Sequence, residues 1–367
     1  MSSLYFCAGR VNILTKGNSG VKGKKGIRLG AILLAAGLLT GCKADTTNLN
    51  AASELIRNLD YQGALEVLNQ AEDAGENSRL IDRSRGIAYM GLTEYEQAVE
   101  AFLASLAGSN GLIQDVDFDL NFYLAAAYTK AGRYEEAAAT YDAILALRPD
   151  EKDAYFLRGN VRMHLNDFDG AKEDFDQTVL LDPKNYDRII EIFEVLDAFG
   201  YKTAGQEYLQ AALDSKDRQM SNYCIGRIYY YLGEYQKAYL ALEDAREKGG
   251  TDSYLYLGRS YEATGDYNYA ISVYMAYLGK YGGNDTIYNQ LGLCRMVKGE
   301  YQEALEAFEE GLKQDNVTIA QTLSFNKIVA YEHLGEYKKA FALLEEYLKK
   351  YPDDESAKRE YDFLKTR

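Results

Sequence analysis

The chain has no tryptophan, two histidines, three prolines and four cysteines in 367 residues. His164 and His333 lie far apart, and neither has metal-ligand spacing to a cysteine or a second histidine. No glycine-rich phosphate loop, nucleophile elbow or HExxH run is present either, so the residues give no support for an enzyme or a metal site. The plentiful carboxylates are spread over helix faces, where charged residues are ordinarily solvated. Pro149, Pro183 and Pro352 each stand twelve residues after a recurring alanine, where a helix has to stop. Of the cysteines, Cys7 and Cys42 lie within the first 42 residues. Cys224 and Cys294 are two sequence units apart, too far for an easy bridge, and are read as small packing residues.

Positive charge is also scarce. The formal net charge is −15. The first 41 residues hold six basic side chains and no acidic one, so the rest carries 35 basic against 56 acidic residues, about −21. Such a surface repels nucleic-acid backbones and anionic headgroups, which argues against nucleic-acid partners and favours basic or neutral ones.

What the chain does have is a period. Ala64, Ala98, Ala137, Ala171, Gly205, Ala238, Ala270, Ala304 and Ala340 follow one another at intervals of 32 to 39 residues. An aromatic stands three residues before every copy except Gly205, where Lys202 takes its place. A fixed period near 34 predicts one solenoid rather than two or three globular domains. The clearest copy runs Tyr254, Leu257, Gly258, Tyr261, then Gly265-Asp266-Tyr267, then Ala270 and Tyr274. Apolar residues at intervals of three and four give each of two helices a single stripe. Glycine in the Gly-Arg-Tyr, Gly-Glu-Tyr and Gly-Asp-Tyr turns can take positive φ and end the first helix. The recurring alanine marks where the second helix crosses its neighbour.

This pattern resembles the tetratricopeptide repeat, with tyrosine in place of the family's tryptophan in copies such as those opening at Tyr254 and Tyr288. The resemblance implies an all-α, right-handed superhelix: nine helix-turn-helix repeats over residues 45–354 and a capping helix over 353–367. The first and fifth units are the weakest copies, and the fifth, with Gly205 and Lys202, is expected to be locally distorted or a softer joint.

Residues 1–41 are similar to the leader of a bacterial lipoprotein. A basic run from Val21 to Arg28 precedes the apolar Leu29–Leu39, and Leu39-Thr40-Gly41-Cys42 follows. The apolar stretch is too short for a permanent span. The resemblance implies cleavage before Cys42, diacylglycerol on its sulphur as the only covalent addition with no other cofactor, and an extracytoplasmic face. Residues 42–50 then form a short lipidated linker. The polar stretch before Val21 is longer than such leaders need, so translation is expected to start near Val21.

In tetratricopeptide arrays the first helix of each pair lines a groove, commonly with the residues one and five places after the opening pattern residue. By that resemblance the first position gives Phe122, Phe156, Ile190, Tyr223, Leu255, Asn289 and Phe325. The second gives Ala126, Asn160, Glu194, Arg227, Arg259, Leu293 and Val329. The same spacing also suits an interhelix core. A second stripe, Leu124, Leu257 and Leu291 with Tyr128, Tyr261 and Tyr331, is available for that core. Arg227 and Arg259 suit a carboxylate, although the Lys and Asn set by which tetratricopeptide chaperone cofactors clamp one is missing. The expected partner is a peptide or helix of another protein bound through apolar anchors. A glycan or small ligand stacked on some of the 33 tyrosines is the alternative.

Overall fold

The computed structural model describes residues 46–109, 114–248, 250–314 and 319–366. The leader and Cys42 lie outside the described residues. Within them there are nineteen α-helices and no strand. The helices follow one another as nine helix-turn-helix pairs in sequence and a last single helix, and in eight of the pairs the two helices pack on each other. The first four pairs are α1 (Thr47–Arg57) with α2 (Tyr61–Asp73), α3 (Ser78–Gly91) with α4 (Tyr95–Ala107), α5 (Asp115–Lys130) with α6 (Tyr134–Leu147), and α7 (Lys152–His164) with α8 (Phe168–Leu181). The fifth is α9 (Tyr186–Ala198) with α10 (Lys202–Asp214). The last four are α11 (Asn222–Leu232) with α12 (Tyr235–Glu247), α13 (Ser253–Ala263) with α14 (Tyr267–Tyr281), α15 (Asp285–Lys298) with α16 (Tyr301–Leu312), and α17 (Ala320–His333) with α18 (Tyr337–Lys350). The single helix is α19 (Glu355–Leu364).

The chain divides into two compact units between Val195 and Leu196, inside α9. In each, successive helices pack side by side, α3 on α4 and α4 on α5 in the first, α12 on α13 and α13 on α14 in the second. The division falls in the unit that lacks both the alanine and the turn tyrosine.

One turn recurs between the two helices of every pair. The residue two places before each second helix has left-handed φ, from Leu59, Thr93 and Asn166 at +63°, +64° and +59° to Gly132, Gly200, Gly233, Gly265, Gly299 and Gly335 at +75° to +85°. In the first pair the amide of Asp60 then donates to the carbonyl of Leu55, and Glu94 to Tyr89 and Arg133 to Tyr128 repeat that bond. This wrapped end satisfies carbonyls that the helix leaves open. In the fifth pair the turn survives the loss of the motif tyrosine: Gly200 keeps the positive φ while Tyr201, one place early, is exposed.

The recurring alanines Ala64, Ala98, Ala137, Ala171, Ala238, Ala270, Ala304 and Ala340 are all fully buried. In four of the pairs a glycine on the first helix faces an aromatic of the second. A Cβ on Gly86 would lie 2.4 Å from Phe102, one on Gly258 2.3 Å from Tyr274 and one on Gly292 2.4 Å from Phe308. The ring therefore lies against bare backbone, and the two helices come together at that point.

Helix starts follow local chemistry. Asp60 and Asp167 accept from the amides of Gly63 and Gly170 at 2.9 and 3.0 Å, and Asn77, Ser221 and Asn284 cap first helices in the same way. Asp354 caps α19 through Ser356 and Ala357, both at 3.0 Å. That helix buries Ala357 and Leu364 against the ninth pair and leaves Lys358, Arg359 and Asp362 in solvent, as a cap requires.

Candidate functional site

The first helices carry the expected strip, and the structure divides it in two. Phe122, Tyr223 and Leu255 are half-buried, as are Arg227 and Arg259. Phe156, Ile190 and Phe325 are at most 2% exposed, and Asn160, Asn289, Leu293 and Val329 are buried with them. The expectation that these seven form an open surface is corrected. Phe156 is covered by Phe175 at 6.0 Å and by the Arg188 guanidinium at 4.0 Å, and Phe325 by Tyr347 at 5.8 Å. Asn326 donates to Asn289 at 2.9 Å inside the same interior. The same register position is thus core in the fourth, fifth, eighth and ninth pairs and half-buried in the third, sixth and seventh. The second stripe behaves as core, with Leu124, Leu257, Leu291 and Tyr128 buried and Tyr261 and Tyr331 packed against it.

The accessible part concentrates on α11 and α13 of the C-terminal unit, first helices that touch directly. Tyr256 stands at the middle. Tyr223, Tyr230 and Tyr231 of α11 meet its ring edge-on, with centroids 6.2, 5.6 and 6.0 Å away. The hydroxyls of Tyr231 and Tyr256 are 3.2 Å apart. Arg227 and Arg259 both reach this ring, their guanidinium carbons 5.2 and 5.9 Å from its centroid. Cation–π contact holds a guanidinium beside a ring while leaving N–H donors for another group. The spacing of pattern residues missed Tyr230, Tyr231 and Tyr256, because each lies one or more places off the two positions followed from repeat to repeat. The excess of tyrosine over motif positions was the signal for them.

Behind the cluster lies a buried polar group. The hydroxyl of Tyr274 donates to Glu262, and the Cys294 thiol lies near the same carboxyl. Burial pushes the Glu262 carboxyl above its usual range, against the Tyr274 hydrogen bond and the Arg259 charge. Burial likewise raises the Tyr230 phenol and the Cys294 thiol. Cys224 and Cys294 are both free thiols. No group of three histidine, cysteine or acidic side chains that could hold a metal occurs among the described residues. None of the described helices is long and apolar enough to cross a membrane.

In the N-terminal unit the main polar feature is a network. Asp174, 1% exposed, takes both Nε and Nη2 of Arg158 at 3.0 and 2.6 Å and Nη1 of Arg162 at 3.0 Å. Arg158 also reaches Asp142 at 2.5 Å. These bonds tie the first and second helices of one pair to the second helix of the pair before.

The family model described as tetratricopeptide repeat matches residues 83–154, 122–186, 223–285 and 290–355. Among curated proteins the chain is 25% identical over 248 residues to the CTR9 homolog of Arabidopsis thaliana, covering 62% of this chain and 22% of that one. It is 26% identical over 117 residues to RNA polymerase II-associated protein 3 of Xenopus tropicalis, covering 32% and 17%. The chain thus spans a minor part of either relative. A tetratricopeptide repeat protein from Parabacteroides merdae superposes with a TM-score of 0.45 at 12% identity, over 68% of this chain and 98% of that one. Arrays of this kind mediate protein–protein interaction. With the repeat model matched over more than half of its length and nine helix pairs turning through the same left-handed residue, the chain belongs to the tetratricopeptide repeat family.

Proposed function

We propose that this protein is a lipid-anchored scaffold on the extracytoplasmic face of a bacterial membrane, holding a peptide or helix of another protein along its first helices, as envelope assembly or secretion requires. Diacylglycerol on Cys42 supplies the anchor, and the protein works without metal, catalysis or nucleic acid. The observation that carries the binding part is the Tyr223, Arg227, Tyr256 and Arg259 cluster. These side chains are aromatic and cationic, half-buried, and placed on adjacent first helices, with Tyr223 and Tyr256 bordering the core that Leu242, Tyr254 and Leu257 fill. Aromatic and arginine anchors dominate binding energies at protein interfaces.

Pull-down from detergent-solubilised envelope tests the scaffold, comparing the parent with a Tyr223→Ala, Leu255→Ala, Tyr256→Ala variant. A specific protein retained by the parent and lost by the variant supports it. An unchanged set of captured proteins, with glycan-array binding lost in the variant, would replace it with a glycan-binding protein. For the anchor, Cys42→Ser should leave the protein unprocessed or release it from membranes. A processed, membrane-bound mutant would remove the lipid assignment.

A further inference from the structure

We infer that Arg259, with Tyr256 and the neighbouring phenols, is a binding site for a single carboxylate that a partner carries beside an aromatic or apolar group. The inference rests on the peptide-binding reading above and names the chemistry that this surface selects.

The chain has 56 acidic residues against 41 basic ones, and most of its described arginines hold a carboxylate. Arg79, Arg85, Arg133, Arg148, Arg158 and Arg188 all hold one or more. Arg259 makes no hydrogen bond or ion pair with any described residue, although it is half-buried. Its near neighbours are Tyr230, Tyr256, Tyr274 and Glu262. Glu262, three residues on, is the obvious internal partner, but it accepts from Tyr274 and meets Arg259 only through its charge, without a hydrogen bond or close ion pair. A half-buried guanidinium facing rings rather than acceptors has lost hydration without full replacement. An incoming carboxylate restores two N–H···O bonds at once, because the planar fork fits its two oxygens.

The ligand's other features follow from the surroundings. A net charge of −15 disfavours a phosphate or a run of acidic residues, since each further negative charge meets the field of the whole protein. One negative charge bound at a guanidinium meets the least of that repulsion. The rings of Tyr223, Tyr230 and Tyr256 offer an apolar wall to the group next to the carboxylate, and Arg227 adds a second positive charge beside the same ring. The carboxylate can belong to a chain terminus or to an aspartate or glutamate side chain.

The test is an NMR titration of the full chain, following the arginine Nε–Hε resonances. The probes are N-acetylphenylalanine, which carries a terminal carboxylate, and the amidated dipeptide acetyl-Glu-Phe-amide, which carries only a side-chain one. N-acetylphenylalaninamide is the neutral control. At least one acidic probe should move the Arg259 signal saturably while the neutral amide does not, and whichever acid binds identifies the source. Arg259→Gln should weaken that binding tenfold or more with an unchanged melting temperature, and Arg259→Lys should recover part of it. The inference is overturned if acid and amide act alike, if neither acid moves Arg259, or if Arg259→Gln binds as the parent does. A protein partner still captured by Arg259→Gln would remove this site and leave the scaffold standing.

Discussion

The imidazole of His164 lies flat on the ring of Tyr134, with centroids 4.4 Å apart and planes 6° from parallel. His333 repeats the arrangement on Tyr301 at 4.7 Å and 26°. In both, the last residue of a first helix covers the turn tyrosine of the preceding pair, so the chain's two histidines join successive repeats. The turn tyrosine therefore packs forward onto the next pair as well as into its own.

Burial pushes the His164 pKa below its ordinary 6.5. A depressed histidine favours the neutral folded form. Its contribution is complete above about pH 6.5 and is lost as pH falls through the folded value, because the unfolded chain takes the proton first. His164→Phe keeps a ring on Tyr134 without the titration. Its urea midpoint should fall less than that of the parent between pH 7.5 and pH 5. Equal losses in both proteins would show that His164 does not contribute to the acid sensitivity.

Asp174 makes a different kind of joint. Its carboxylate is almost fully buried and serves Arg158 and Arg162 together, and Arg158 reaches on to Asp142 of the preceding pair. Removing one partner of a buried ion pair leaves the others desolvated and uncompensated, at a cost of about 3 kcal/mol. Asp174→Asn should lower stability by about that amount. The exposed pair Lys172 to Asp176, four residues apart on the same helix, should lose less than about 1 kcal/mol on Asp176→Asn. Chemical denaturation of the two variants checks the ranking, and similar losses would contradict it.

Much of this architecture can be read from residue types because its spacing is set by steric contacts. Ala98 and Ala304 recur where no larger side chain fits, and Gly132, Gly233, Gly265 and Gly299 recur where the backbone turns left-handed. Leu59, Thr93 and Asn166 make the same turn without glycine, and only their place in the period identifies them. The candidate site was less legible. Phe122 and Phe156 occupy the same register position, yet one is half-buried and the other is covered by Phe175 and Arg188. Helical spacing fixes the face that a residue occupies, but what lies over that face depends on side chains from other helices. Tyr256 and Glu262 were missed for a related reason, since contacts across α11, α13, α14 and α15 give them their roles.

The glycine and aromatic pairing predicts a sharp difference between two glycine-to-alanine changes. On Gly292 the added methyl meets the Phe308 ring at 2.4 Å, in a core where that ring is fully buried. Gly292→Ala should cost about 1–3 kcal/mol through overpacking. Adding Phe308→Leu should return part of the loss, because the two sites share one contact. On Gly279 the methyl meets nothing within 4 Å, so Gly279→Ala in α14 should gain up to about 1 kcal/mol of helix propensity. Denaturation midpoints moving in opposite directions would confirm the distinction.

Thr93 offers the clearest gain in stability. It holds φ at +64° in the turn where six of the other pairs use glycine. A β-branched residue there carries about 1–2 kcal/mol of steric strain. Replacing it with glycine removes the strain but returns about 0.4–1 kcal/mol to the unfolded chain as conformational freedom. The balance favours Thr93→Gly by about 0.5–1 kcal/mol. The converse change Gly132→Thr, at +77°, adds the strain and should destabilise by a similar amount or more. The amide of Glu94 donates to Tyr89 at 2.9 Å across this turn, so its hydrogen exchange reports on the turn directly. Slower exchange at Glu94 in Thr93→Gly is the expected result. Unchanged exchange with an unchanged melting temperature would mean that the backbone relaxes the strain in the parent.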